Sequence, residues 1–206
     1  MEVLTRQEQQ EQTREALLDS ARDVFARRGF HEAKLAEVAR TAGFTTGAVY
    51  SNFDGKEGLF LAVADREMTR RIEVSEAIVT AVSESDDLNG TLAASLDAAL
   101  EQSPENVLLF FEFWAYFARR SETAPEFQVR RDEVRAALAR ALEADALRQG
   151  RKLVMPATEL ASALRGVLNG LGFERAVERD EFPAEAARWA VTALLEAASK
   201  PIDPGS

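Results

Sequence analysis

Residues 35–53, LAEVARTAGFTTGAVYSNF, constrain the fold more than any other stretch of this chain. They read as two short apolar-periodic helices joined around a glycine: a small residue at Ala39, a turn former at Gly43 and an apolar plug at Val49. Ala39 lets the second helix approach the first closely. Gly43 follows the last periodic residue of the first helix, where the backbone turns through positive φ and a side chain costs energy. Val49 then points into the angle between the helices and leaves Thr46, Gly47, Tyr50 and Ser51 outside. This is the pattern of a helix-turn-helix, and its outer face is what a DNA major groove would meet.

Charge weighs against that reading. The chain carries −10 over 206 residues, whereas nucleic-acid-binding domains usually show a basic footprint. The deficit is uneven. Residues 22–56 hold six Lys/Arg against four Asp/Glu, and residues 61–206 hold 17 against 25. A weakly basic head on an acidic body is compatible with DNA binding if the cations line one face.

The remaining elements read as helices. Thr13 to Arg28 is amphipathic and stops at Gly29; helix two spans about Leu35–Ala42 and helix three about Thr46–Phe53, with Thr45 as the expected N-cap through its hydroxyl. A long helix starts near Lys56 and can run to about Ser83, and its later turns, with Val63, Ile72 and Val79, are expected to pack against the body. Ser103-Pro104, Pro125, Pro156 and Pro183 mark later helix starts, and Gly150 ends one. No run alternates long enough to suggest a sheet, and PIDPGS at the end reads as a frayed tail. The expected class is all-α: a three-helix head over about 10–70, joined by the long helix to a regulatory, ligand-binding and dimerisation body over 71–200.

With these elements placed, Arg14, the AxxxFxxxGF pattern at Ala21, Phe25, Gly29 and Phe30, the helix-turn-helix, and Lys56-Glu57 with Leu59-Phe60 resemble the TetR family of bacterial transcriptional regulators. The resemblance is strong over about 10–68. It implies nine or so helices, a cytoplasmic homodimer, a double-stranded DNA operator as partner, and a body whose small-molecule effector controls DNA binding, most often as a repressor. Carried over residue by residue, it gives Thr45 and Thr46 to phosphates or base edges, Gly47 to close backbone approach, Tyr50 and Lys56 to phosphates, and Ser51 to a base edge. Lys34 stands where the family often has a capping Thr or Ser, so a cap is exchanged for a cationic phosphate contact. Asn52 stands where the family often has His.

In the body, NVLLFFEFWAYFARR places Val107, Phe110, Phe113, Trp114 and Phe117 on one broad face at 100° per residue, with Glu112, Leu108, Tyr116 and Arg119 opposite. Such a stripe is a core face, and Phe110, Phe113, Trp114 and Phe117 are also candidates to line a pocket for an apolar effector. Ser162, Gly166, Gly170 and Phe173 on one late helix, and Trp189 and Ala193 on the next, present small residues that permit close helix approach; paired across a two-fold axis they form a four-helix interface.

No enzyme motif is present. The chain has no Cys and one His, His31, which excludes thiolate chemistry and Cys-based zinc sites and leaves no metal cluster, catalytic group or cofactor to expect. Residues 1–12 are polar and do not read as a secretory signal, and the most apolar stretch, Val107–Ala118, is too short to span a bilayer. The competing reading is an all-helical small-molecule binding or adaptor protein that keeps the head as a fold without DNA affinity.

Overall fold

The protein, seen in a computed structural model, is described at residues 5–85, 90, 91, 94, 97, 98, 102–119, 125–179 and 184–202. Eight helices are complete among the described residues: α1 (Arg6–Glu32), α2 (Leu35–Thr41), α3 (Thr46–Asn52), α4 (Gly55–Glu84), α5 (Pro104–Ala118), α6 (Pro125–Arg148), α7 (Ala157–Glu178) and α8 (Ala184–Ala197). They fall into two compact units. The first comprises residues 1–69 and 108–121, the second 70–107 and 122–206. No described helix is long and apolar enough to cross a membrane.

In the first unit, α1 begins with a capping box in which the Thr5 hydroxyl accepts the Glu8 amide at 3.3 Å and the Glu8 carboxylate accepts the Thr5 amide at 2.6 Å. The helix breaks at Gly29, where φ is 69° and ψ 167°, and one further turn carries it to Glu32. Leu17, Val24 and Phe25 of α1, Val38 and Ala39 of α2, Val49 of α3, and Leu59, Phe60 and Val63 of α4 are buried. Phe60 is the hub of this core: its ring lies 5.4 Å from Phe25, 4.5 Å from Phe30 and 4.8 Å from Phe113 of α5. Each such ring contributes about 1.5–3 kcal/mol through burial alone. Two polar ties complete it. Ser20 donates to the Val38 carbonyl at 2.8 Å, and Arg14 donates to the Asn52 carbonyl at 3.2 Å while lying over the Phe53 ring.

In the second unit, α6 and α7 pack along one another and α8 packs on α7. Val82, Leu142, Leu160, Leu164 and Val191 form the core. The buried Asp145 carboxylate accepts hydrogen bonds from Arg148 and Gln149 at 3.0 and 2.7 Å, which offsets its desolvation. Contrary to the expectation of no sheet, β1 (Arg151–Leu153) pairs antiparallel with β2 (Ser199–Pro201). Three-residue strands are too short for alternation to show in sequence. The tail expectation is corrected at the same place: Pro201 belongs to β2, and the Ile202 amide donates to the Gly150 carbonyl at 2.9 Å. Positions 203–206 lie outside the described residues.

Candidate nucleic-acid interface

The turn between α2 and α3 is set by backbone chemistry. The Phe44 amide donates to the Ala39 carbonyl at 2.8 Å and the Gly43 amide to the Arg40 carbonyl at 3.2 Å, with Gly43 at φ 79°. These bonds are a Schellman motif, which satisfies the last carbonyls of α2 and requires a left-handed residue at Gly43. A Cβ there would meet open space, so the backbone angle, and not crowding, demands glycine. The crossing angle of α3 over α2 is thereby fixed, with Val49 fully buried beneath α3.

The outward face of α3 carries the expected residues together. Thr45, Gly47, Tyr50 and Ser51 are exposed and Thr46 is half-buried; Tyr50 is 63% exposed, whereas Phe53 is buried. Thr45 occupies the N-cap position with extended backbone, yet its hydroxyl makes no capping bond. The expected cap is therefore corrected, and the hydroxyl is left at the surface. Ser51 donates to the Ala48 carbonyl at 3.0 Å, and its oxygen still has acceptor capacity. Asn52 turns back onto α3, donating to the Ala48 carbonyl at 2.8 Å. A Cβ on Gly47 would make only an ordinary 3.5 Å contact with the Thr45 hydroxyl, so nothing inside the chain forbids alanine there.

The cations sort into two groups. Arg22 pairs with Glu67 at 3.0 Å and Arg28 with Glu37 at 3.6 Å. Lys34, at the N-cap of α2, and Arg40, in its last turn, are exposed and make no ion pair among the described residues. Lys56 donates to the His31 carbonyl at 2.7 Å and lies over the Phe30 ring, so its charge is held beside the corner that joins α1 to α2. Arg40 is the cation that motif reading passes over; in sequence it is one Arg among several, and only the pairing of its neighbours singles it out.

The same corner is gripped by α5. Glu112 accepts the Phe30 amide at 3.0 Å, and its other carboxylate oxygen lies 2.8 Å from where a Cβ on Gly29 would stand. Tyr116 donates to Glu57. A cleft of about 510 Å³ opens here beside Phe30, Glu57, Phe60, Glu112 and Tyr116. The helical wheel puts Glu112 on the edge expected to face solvent, and sequence carries no signal that this edge would meet the Gly29–Phe30 backbone. Of the ring face, Phe113 is buried against Phe60, Phe110 and Trp114 pack edge to face at 5.8 Å, and Phe117 is half-buried.

The second unit holds the other expected face. Gly166 and Gly170 are exposed, Ser162 and Ala193 are half-buried, Phe173 is 37% exposed and Trp189 is 73% exposed. A separate cavity of about 400 Å³ lies among Leu142, Asp145, Gln149, Arg151 and Leu195. No group of described His, Asp or Glu residues could hold a metal ion.

Residues 17–63 match the family model for bacterial regulatory proteins of the tetR family, and residues 85–200 match the C-terminal model of the BetI-type transcriptional repressors. Among curated proteins, the HTH-type transcriptional regulator SrpR of Pseudomonas putida is 45% identical over 53 residues, 26% of this chain and 25% of SrpR, so the alignment spans about a quarter of that relative. Among solved structures, a TetR-family transcriptional regulator from Mesorhizobium loti superposes with a TM-score of 0.68 at 22% identity, covering 94% of this chain and 96% of that one. A transcriptional regulator from Saccharomonospora viridis in complex with choline gives 0.68 at 18%, covering 92% and 98%. At these identities the structures share the fold. The two family matches together run over the head and more than half of the chain beyond it, and the chain belongs to the TetR family of bacterial transcriptional regulators.

Proposed function

We propose that this protein is a ligand-responsive repressor that binds an inverted-repeat operator as a homodimer and is released by a small apolar molecule. The observation that carries the reading is the outer face of α3: exposed hydroxyls at Thr45, Tyr50 and Ser51 around Gly47, on a helix whose inner face is closed by Val49. In this reading Thr45, Tyr50, Lys34 and Lys56 hold phosphates and set the register, while Thr46 and Ser51 reach base edges. Arg40 joins the phosphate group because its charge is exposed and makes no ion pair among the described residues. With few phosphate cations and an acidic chain, loose non-specific binding is weak and the operator contacts carry the affinity.

The dimer is supported by the glycines of α7. Neither Gly166 nor Gly170 has a left-handed backbone, and a Cβ on either would meet nothing within 4 Å of the same chain. Within one chain alanine fits there at lower conformational cost, so the missing side chains make sense as room for a second copy, and Phe173 of α7 and Trp189 of α8 are exposed as well. For the effector, Phe110, Trp114 and Phe117 remain the candidates, while Phe113 is engaged with Phe60. The Saccharomonospora viridis neighbour, solved with choline, supports small-molecule binding by this fold. Glu112 is a natural relay, since any shift of α5 pulls on the Phe30 amide at the entrance to α2.

The test is binding to DNA from upstream of the protein's own gene, against a scrambled sequence of equal composition, across a salt series. Specific binding that weakens with salt on both DNAs, but much more tightly on the first, is expected. Equal affinity for the two sequences, or none for either, contradicts the reading.

A further inference from the structure

The cavity of about 400 Å³ in the second unit is lined by the end of α6, the β1–β2 pair, α7 and α8, and its size falls in the range of small-molecule sites, roughly 300–1,000 Å³. Leu142, Leu153, Leu160 and Leu195 give it an apolar wall. The polar lining comes from three places. Arg151 of β1 is anchored by Ser199 of β2: Nε donates to the Ser199 hydroxyl at 2.8 Å and Nη2 to the Ser199 carbonyl at 2.6 Å. The buried Asp145 carboxylate accepts Arg148 at 3.0 Å and the Gln149 side-chain amide at 2.7 Å. Glu196 of α8 lines the cavity as well.

Arg151 and Glu196 are neighbours without being partners. The guanidinium comes within 3.5 Å of the Glu196 main-chain carbonyl, yet neither side-chain charge makes an ion pair among the described residues. Opposite charges lining one cavity gain Coulomb energy by meeting; here the two bonds to Ser199 hold the guanidinium in place. The Arg151 Nη1 donors and the Ser199 hydroxyl proton are thereby left without an acceptor among the described residues. On the accepting side stand the Glu196 carboxylate, the Gln149 side-chain oxygen and the spare capacity of Asp145, since a carboxylate offers about four lone-pair sites. With Arg148 set against Asp145 and Arg151 against Glu196, the charges balance while donors and acceptors stay apart. An uncharged apolar ligand would desolvate both without satisfying either. A simple ion would satisfy one.

We propose that this cavity binds a small zwitterion with an apolar body, an α-amino acid with an aliphatic side chain. Its carboxylate accepts from Arg151 Nη1 and the Ser199 hydroxyl, its ammonium donates to Glu196, Asp145 and the Gln149 oxygen, and its side chain lies against the leucines. A guanidinium already anchored loses little further freedom when it binds. This goes beyond the reading above: the site shares no residue with the ring face of α5, and it stands or falls independently of DNA binding.

The test is isothermal titration of the full-length protein with L-leucine, L-leucinamide, 4-methylpentanoate and glycine. Relative to L-leucine, the amide lacks the anion, the pentanoate lacks the cation and glycine lacks the aliphatic body. Saturable binding of L-leucine is expected, with each of the other three weaker by roughly tenfold or more. Glu196→Gln breaks no ion pair of the chain, so it is expected to keep the parent Tm, to weaken L-leucine roughly fivefold, and to cause no loss of 4-methylpentanoate, which has no ammonium to meet it. Arg151→Gln is the second variant and is expected to lose the preference for L-leucine over L-leucinamide; if it loosens the β1–β2 pair and lowers Tm, Glu196→Gln still decides. Absence of saturable L-leucine binding at millimolar concentration overturns the proposal. So do four probes that bind alike, a singly charged probe that binds as tightly as L-leucine, or a Glu196→Gln protein that binds L-leucine as the parent does.

Discussion

The two units differ in how completely each closes on itself. In the first, Leu17, Val24, Phe25, Val38, Val49, Leu59 and Phe60 are buried, the turn is fixed by a Schellman motif, and Phe44 in the turn and Tyr50 on α3 stand at the surface. In the second, Phe173, Val177, Val154 and Trp189 stand at the surface, and a Cβ on Gly166 or Gly170 of α7 would meet nothing of the same chain within 4 Å. A closed unit presents a rigid face to something polar; an open one has apolar surface still to cover. In the proposed reading, DNA meets the first and a second copy of the chain the second.

The strongest way to break this comparison is to open the closed unit. Val49→Asp places a charge without a partner where the side chain is fully buried, at a cost on the order of 4 kcal/mol or more. That is a large share of the stability of a small domain. Calorimetry on the full-length variant is expected to show the head's transition lowered or lost, together with loss of operator binding. A native-like melt with intact operator binding would show that α3 does not depend on this plug.

The next largest effect comes from filling the open surface. Gly166→Leu is expected to leave the fold of the second unit intact, since a Cβ there meets nothing of the same chain within 4 Å, but to obstruct close approach of a second copy. Sedimentation is expected to show monomer at concentrations where the parent is dimeric, with operator affinity falling steeply because two half-sites are no longer held together. A variant that stays dimeric moves the interface away from α7.

This division also explains what was legible in sequence. Gly43, Ala39 and Val49 could be read because each obeys a local rule: a positive φ, a close helix approach, a plugged angle. Tyr50 and Phe53 separate into exposed and buried because α3 has one inner face. The role of Glu112 was invisible, since its partner is a backbone amide 82 positions away, and helical periodicity reports only which side of α5 a residue occupies. The β1–β2 pair was missed for the same reason: its register, Arg151 with Pro201, is a long-range fact with no local pattern.

A smaller effect sharpens the account of the head. Tyr50→Phe removes one exposed hydroxyl and should weaken binding to matched and scrambled DNA alike, by a few-fold, leaving operator preference unchanged, because phosphate contacts position without specifying. Ser51→Ala should instead lower discrimination between the two sequences. Competition binding at fixed salt separates the outcomes; a change of base preference in Tyr50→Phe reverses the assignment of the two residues.

The central claim is that two copies of α3, held by a two-fold dimer, read one inverted repeat. DNase footprinting of the upstream region, titrated with the full-length protein, tests it most directly. The account predicts two half-sites whose centres lie about one helical turn of DNA, or a multiple of it, apart, protected together over the same range of protein concentration. Protection of a single half-site, or uniform protection without a preferred position, would contradict it.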